Sequence, residues 1–410
     1  MKEVYVINHT TLSEIADAIR TKIEAGEMMC CDFAEMIRSI LQGEDSIKHG
    51  VVIREYNADT GKWTNICVVG DMYASFMKNN TDLVHVTFKG KTQFFDSEYE
   101  GCNSITEIIL PSTLHTLGNS VFKNCSSLGA ISIPENVTSF GDYLFYGCSN
   151  LKEVEWNPVN CEDFGILARS PFYQCNLIEK VTFGPNVKHI PGALFYNTGA
   201  TLGGEMNIPE GITSTGDHVF QGSLITKIVI PQSMTSIGSH FCSDCTSIEE
   251  VVWNAPNLED FTAEAYGPFY HCSGITKVTF GENVNYIPKY AFNTANATFG
   301  GTLTIPENVT SIGSSVFKSN LMNKVDIQGT VSIGETCFES CTNLNCVILR
   351  GSEMSTITYR ANTYTPFRST PIEDGTGFIY VPDALVDTYK ADTNWSFYAD
   401  QIKALSELEE

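Results

Sequence analysis

Six residues of alternating charge, Glu153, Lys180, Glu205, Lys227, Glu250 and Lys277, recur at intervals of 22 to 27 residues. Set side by side on neighbouring strands about 4.8 Å apart, each charge reaches both of its neighbours. Such a ladder can satisfy itself, each exposed pair contributing about 0.2–1 kcal/mol. It can also serve recognition, together with the semi-polar row beside it that contains Val229 and Val252. A second set of candidates lies in two segments with four extra residues, CEDFGILARSPFYQC and LEDFTAEAYGPFYHC. Their acidic and aromatic side chains, Glu162, Asp163, Phe164, Glu259, Asp260, Phe261 and Tyr266, are expected on protruding loops that contact a partner.

Arrangements that would carry catalysis are missing from the chain. Gly90-Lys91-Thr92 lacks the upstream glycine of a phosphate loop, and neither His-Glu-x-x-His nor Gly-x-Ser-x-Gly occurs. Cys242-x-x-Cys245 has a metal-like spacing, but no second pair or neighbouring histidine completes a zinc set. We therefore expect no catalytic residue, no metal and no cofactor.

The elements that position these groups are repeats. Residues 126–222 and 223–319 align without a gap, so Trp156 matches Trp253, Cys148 matches Cys245 and Phe172 matches Phe269. Each block divides into units of 21 to 27 residues, about twelve in all, beginning near residue 80. Leu128-x-x-Ile131-x-Ile133 alternates like a short half-buried strand that Pro134 ends. Val137 and Phe140 follow, and Tyr143–Cys148 is expected to make one helical or 3₁₀ turn. A unit this small buries too little apolar surface to offset its chain entropy, so it must stack on its neighbours. Cys102, Cys125, Cys148, Cys175, Cys245, Cys272 and Cys341 share one repeat position and should form a buried column of small apolar groups.

Alternation along each strand places two rows outward. One reads His85, Glu107, Ala130, Glu153, Lys180, Glu205, Lys227, Glu250, Lys277, Thr302, Lys324 and Cys346. The other reads Thr87, Ile109, Ser132, Glu155, Thr182, Asn207, Val229, Val252, Thr279, Thr304, Asp326 and Ile348.

The Ile/Phe-Pro…Val…Ile-Gly…Phe…Cys-Ser-x-Leu wording of residues 131–151 and 228–251 resembles BspA-type leucine-rich repeats. The likeness covers residues 80–370 and implies an α/β leucine-rich-repeat solenoid of parallel strands. It also implies a surface or interaction protein rather than a fixed activity. Residues 1–45 form a helical N-terminal module by spacing, with Asp32 and Glu35 as a capping box. Residues 46–79 read as a hairpin that starts the sheet, and 371–410 as a C-terminal cap with a strand over 378–382 and a helical segment over 383–404 that contains Trp395. The Thr-Leu-x-x-Ile-Ala-Asp-Ala-Ile-Arg wording near the start and the Tyr-Val-Pro-Asp-Ala-Leu-Val-Asp wording near the end are similar to phage and prophage tail-associated repeat proteins.

Net charge of −23 argues against nucleic-acid and anionic-membrane surfaces, and no apolar run is long enough to span a bilayer. The first twenty residues lack the basic and apolar regions of a secretory signal. Together these point to a non-enzymatic recognition or adhesion scaffold. The resemblances place it on a virion, or in the bacterial cytoplasm before assembly, attached through residues 1–45 and facing a host protein or glycan. The alternative is a bacterial cell-surface adhesin exported by another route, and a lesser one is an enzyme whose site no motif marks. Cys30, Cys31 and Cys67 fall outside every pattern.

Overall fold

The computed structural model describes residues 2–6, 51–57, 62–69, 77–81, 83–165, 169–261, 267–358 and 364–408. The helical module expected over 10–40, Cys30 and Cys31, and Tyr266 lie outside the described residues, as does the side chain of Cys67. The fold is a parallel β-solenoid of leucine-rich-repeat type, with about 13 turns among the described residues. It divides into two compact units, one of residues 1–161 with 169–184, the other of 162–168 with 185–410.

In the first unit an antiparallel pair, Val51–Asn57 and Lys62–Val69, leads into the parallel strands His85–Lys89 and Glu107–Ile109. Ala130–Ile133, Glu153–Trp156 and Lys180–Phe183 form a separate three-stranded parallel sheet, with Val154 opposite both Ile131 and Val181. Short strands on a second side, Gln93–Phe94, Thr116–Leu117 and Ser139–Phe140, are also parallel. The second unit repeats this scheme, with one row over Glu205–Asn207, Lys227–Ile230, Glu250–Trp253 and Lys277–Phe280. A further row begins at Thr302–Ile305 and ends at Phe378–Val381 and Ile402–Ala404.

Alternation sorts these side chains as expected: Ile131, Ile133, Val154 and Trp156 are buried, whereas Ala130, Ser132, Glu153 and Glu155 are exposed. Between the two strand rows the repeated phenylalanines stack. Phe122, Phe145 and Phe172 lie 5.5 and 5.2 Å apart in the first unit, and Phe292, Phe317, Phe338 and Phe367 are 5.6 Å apart at each step in the second. Near-parallel packing of this kind adds about 0.5–1.5 kcal/mol per pair beyond area burial.

The cysteine column is buried, and its thiols do more than fill space. Cys125 Sγ donates to the Tyr99 carbonyl at 3.3 Å, Cys148 to Phe122 at 3.2 Å and Cys245 to Phe220 at 3.0 Å, each one repeat back. Burial raises the pKa of Cys125, Cys148 and Cys175, the last to about 12, and keeps these three as thiols.

Several expectations need correction. Tyr143–Cys148 makes isolated i→i+3 turns, Tyr146 N–H to Tyr143 O at 3.3 Å and Cys148 N–H to Phe145 O at 3.0 Å, and not a regular helix. Tyr143 adopts a left-handed conformation, φ 59°, and its N–H donates to Arg169 O in the following turn instead of back along a helix. The C-terminal cap is helical only over Val386–Ala391, flanked by single 3₁₀ turns. Asp392 Oδ1 takes the N–H groups of Asn394 and Trp395, which ends the helix, and Ile402–Ala404 forms a strand beside Phe378–Val381. Ile348, expected outside, is fully buried. Arg350 reaches across to Asp326 through two hydrogen bonds, at 2.8 and 3.1 Å, in the row where Ile348 lies between Asp326 and Tyr380.

Candidate functional site

The outward strand face carries the charged ladder in two parts. In the second unit it is continuous: Lys227 Nζ stands 3.0 Å from Glu205 and 3.8 Å from Glu250, and Lys277 binds Glu250 at 2.7 Å. Hydrogen bonding to Lys227 lowers the pKa of Glu205, and the same contact raises that of Lys227. Val229 and Val252 pair beside this ladder and are half-buried.

In the first unit Glu153 binds Lys180 at 3.1 Å and His85 binds Glu107 at 3.1 Å. Here the face sinks. A depression of about 360 Å³ lies over Ala130 and Ser132, with Glu107, Glu153, Glu155, Lys180 and Thr182 around it. It lies where the parallel ladder is interrupted, between Glu107–Ile109 and Ala130–Ile133, and where alanine and serine stand on the second of these strands while the next carries two glutamates. Carboxylate, ammonium and hydroxyl groups surround a shallow floor, a composition suited to holding a polar ligand by several directed contacts. Glu153 and Lys180 were recognisable as candidates by charge alternation. Ala130 and Ser132 were not, because a site made by small side chains shows only as an interruption in that alternation.

The inserted loops tell a different story. Phe261 is only 8% exposed, so its ring is part of the core and cannot be offered to a partner; Phe164 is half-buried. Asp163 Oδ1 accepts the Gly192 N–H at 2.6 Å, and Asp260 Oδ1, one block later, accepts the Lys289 N–H at 3.1 Å. The recurring acidic residue therefore caps the same corner in both blocks. This is the role that Asp96 plays toward the N–H of Asn119 and Asp217 toward that of Ser239.

One arrangement here has the look of a nucleophile relay. His189 Nδ1 lies 2.9 Å from Ser214 Oγ and its Nε2 lies 2.9 Å from Asp163. The hydrogen bond from His189 is the main reason Asp163 titrates below the usual carboxylate range. At the matching place in the second block Tyr286 replaces the histidine and donates its hydroxyl to Asp260. The N–H groups of Ser214, Thr215 and Gly216 are all engaged with carbonyls of Lys188, Ser236 and Ile190. An attacking serine would thus find no adjacent donors for an oxyanion, and a tyrosine in the base's place keeps the polar column intact. Capping and packing explain both copies.

Among the described residues no group of three or more His, Cys, Asp or Glu side chains is placed to hold a metal ion. No described helix is long and apolar enough to cross a membrane.

The family described as BspA type leucine rich repeat region matches residues 73–201, 166–298 and 265–380, well over half of the chain. Among solved structures, a leucine-rich repeat protein from Bacteroides ovatus is 17% identical, with 88% of this chain and 100% of that chain covered and a TM-score of 0.43. A leucine rich cell surface protein from Faecalibacterium prausnitzii is 16% identical, covering 77% of this chain and 96% of that one, with a TM-score of 0.32. A leucine-rich repeat protein from Eubacterium ventriosum is 17% identical over 78% of this chain and 93% of its own, also at a TM-score of 0.32. No curated protein matches the chain.

Proposed function

The chain belongs to the BspA-type leucine-rich repeat family, and from that membership we propose that it is a non-enzymatic recognition scaffold whose outward strand face holds a partner on a surface. The observation that carries this reading is the depression over Ala130 and Ser132. It is a concavity on the strand face, rimmed by charged and hydroxyl side chains that the fold does not need for its core, over a floor that Ile108, Ile131 and Val154 share. Stacked repeats suit such a role because every strand adds one outward position without disturbing the buried column behind it.

A direct test uses fluorescent full-length protein and a panel of bacterial envelope preparations. Ser132→Trp with Thr182→Trp fills the face while leaving inward residues untouched. Retention should fall at least tenfold in this variant with its melting transition unchanged. Undiminished retention by the folded variant would remove the strand face as the site.

Two placements of this scaffold are supported by different observations. The wording near residues 10–40 supports a virion-associated protein that attaches through residues 1–45 and presents the solenoid to a host. Family membership supports a bacterial surface adhesin instead. Antibody labelling in electron microscopy separates them, since the first requires decorated particles and the second decorated cells.

A further inference from the structure

The duplicated blocks disagree at one place on the strand face. Lys227 of the second block and Ala130 of the first are 97 residues apart and occupy the same outward position. In the second unit the Lys227 ammonium lies between two carboxylates, Glu205 on one neighbouring strand and Glu250 on the other. Glu250 divides its oxygens, Oε2 toward Lys227 and Oε1 toward Lys277.

The first unit keeps the carboxylates and lacks the cation. Glu153 matches Glu250 and Lys180 matches Lys277, and that pair is formed through Glu153 Oε2. Glu153 Oε1 has no ionic partner among the described residues. Glu107, on the other side of Ala130, uses Oε2 for His85. Between the two stands a methyl group, and the depression opens there. Exposure follows the occupancy: the side chain of Glu250 is 26% exposed beside Lys227, whereas that of Glu153 is 58% exposed beside Ala130. Glu155, flanked by Ser132 and Thr182 in the adjacent row, adds a third carboxylate with no ion pair among the described residues.

We propose that the slot between Glu107 and Glu153 receives a lysine or arginine side chain from a protein partner, in the position that Lys227 fills from within the chain in the second unit. This rests on the reading of the strand face as the partner surface. The evidence for a cation is the internal copy, in which the same strand positions close around an ammonium group. Three carboxylates against Lys180 give the slot the complementary charge, and Glu107 and Glu153 both line the depression in which Ala130 stands.

Titration calorimetry of the full chain with tetralysine tests the slot. Ala130→Lys supplies the missing cation and should weaken tetralysine binding at least tenfold. Ser149→Lys adds the same charge at an exposed position away from the depression and should change it less than twofold. Lys227→Ala opens the equivalent slot in the second unit and should raise the stoichiometry from one peptide to two. Equal losses in Ala130→Lys and Ser149→Lys would overturn the proposal in favour of diffuse attraction to an acidic protein. Binding of an amino-sugar oligomer without binding of tetralysine would overturn the choice of a protein partner. If Ala130→Lys loses tetralysine yet stays on the envelope preparations that the tryptophan variant leaves, the strand face stands and the slot's part in recognition is refuted.

Discussion

Ser223 occupies the repeat position that Cys148 and Cys175 occupy elsewhere, three residues after the stacked phenylalanine, and its buried hydroxyl has no hydrogen-bond partner among the described residues. A thiol, with its longer bond to Cβ, reaches the carbonyl one repeat back; this hydroxyl does not. Cys148→Ser should therefore destabilise the protein by about 1–3 kcal/mol, the cost of leaving a buried polar group unsatisfied. Ser223→Cys should raise the denaturation midpoint, and an unchanged midpoint in both variants would refute the donor role. The spacing of Cys102, Cys125 and Cys148 makes the buried column legible in the sequence. Its hydrogen bonds are not legible, because each acceptor belongs to another repeat. A second effect at this scale is acid sensitivity. Burial lowers the pKa of His240, and the stacked ring of His218, 4.6 Å away, lowers it further, against Asp244 and Asp217, which raise it. The unfolded chain then binds the proton more readily, near pH 6.5. This contribution to stability is present above that value and is lost as pH falls toward the folded pKa. The fall in melting temperature between pH 7 and pH 5 should be smaller in His240→Gln than in the parent chain.

At the scale of elements the strands were readable and the corners were not. Alternation in Ala130–Ile133 and Glu153–Trp156 names the buried and exposed faces correctly because a strand's period is local. Ile348 departs from the pattern in a row where it lies between Asp326 and Tyr380, neighbours on other strands that no local period marks. The corners depart because their backbone groups bond across turns. Ser120, Tyr143, His218 and His240 have φ between 55° and 60°, held there by bonds such as Ser120 N–H to Asp142 O at 2.7 Å. A β-branched residue tolerates this conformation least. Ser120→Val should cost about 1–3 kcal/mol in denaturant unfolding, while Ser120→Gly should cost nothing or stabilise. Equal effects of the two would show that the corner's left-handed backbone is not the constraint. The helical expectation for 383–404 fails for a related reason: Asp392 offers its carboxylate to the chain, and the tail gains a strand partner in Phe378–Val381.

For the molecule as a whole, duplication separates scaffold from site. Matched positions such as Trp156 and Trp253 or Asp163 and Asp260 build and cap the stack, while a mismatch, Ala130 against Lys227, falls at a depression on the strand face. Family and fold were legible from the repeat wording; the site was only partly so, since its floor is made by what Ala130 lacks. Carboxylate footprinting tests the central claim most directly. The protein, free and then held on an envelope preparation that retains it, is labelled with a carbodiimide and glycine ethyl ester and mapped by mass spectrometry. Labelling of Glu107, Glu153 and Glu155 should fall several-fold on binding, while the exposed Glu162 and Glu259 of the inserted segments stay as reactive as in the free chain. Protection of Glu162 and Glu259 with the strand-face glutamates unprotected would contradict the account.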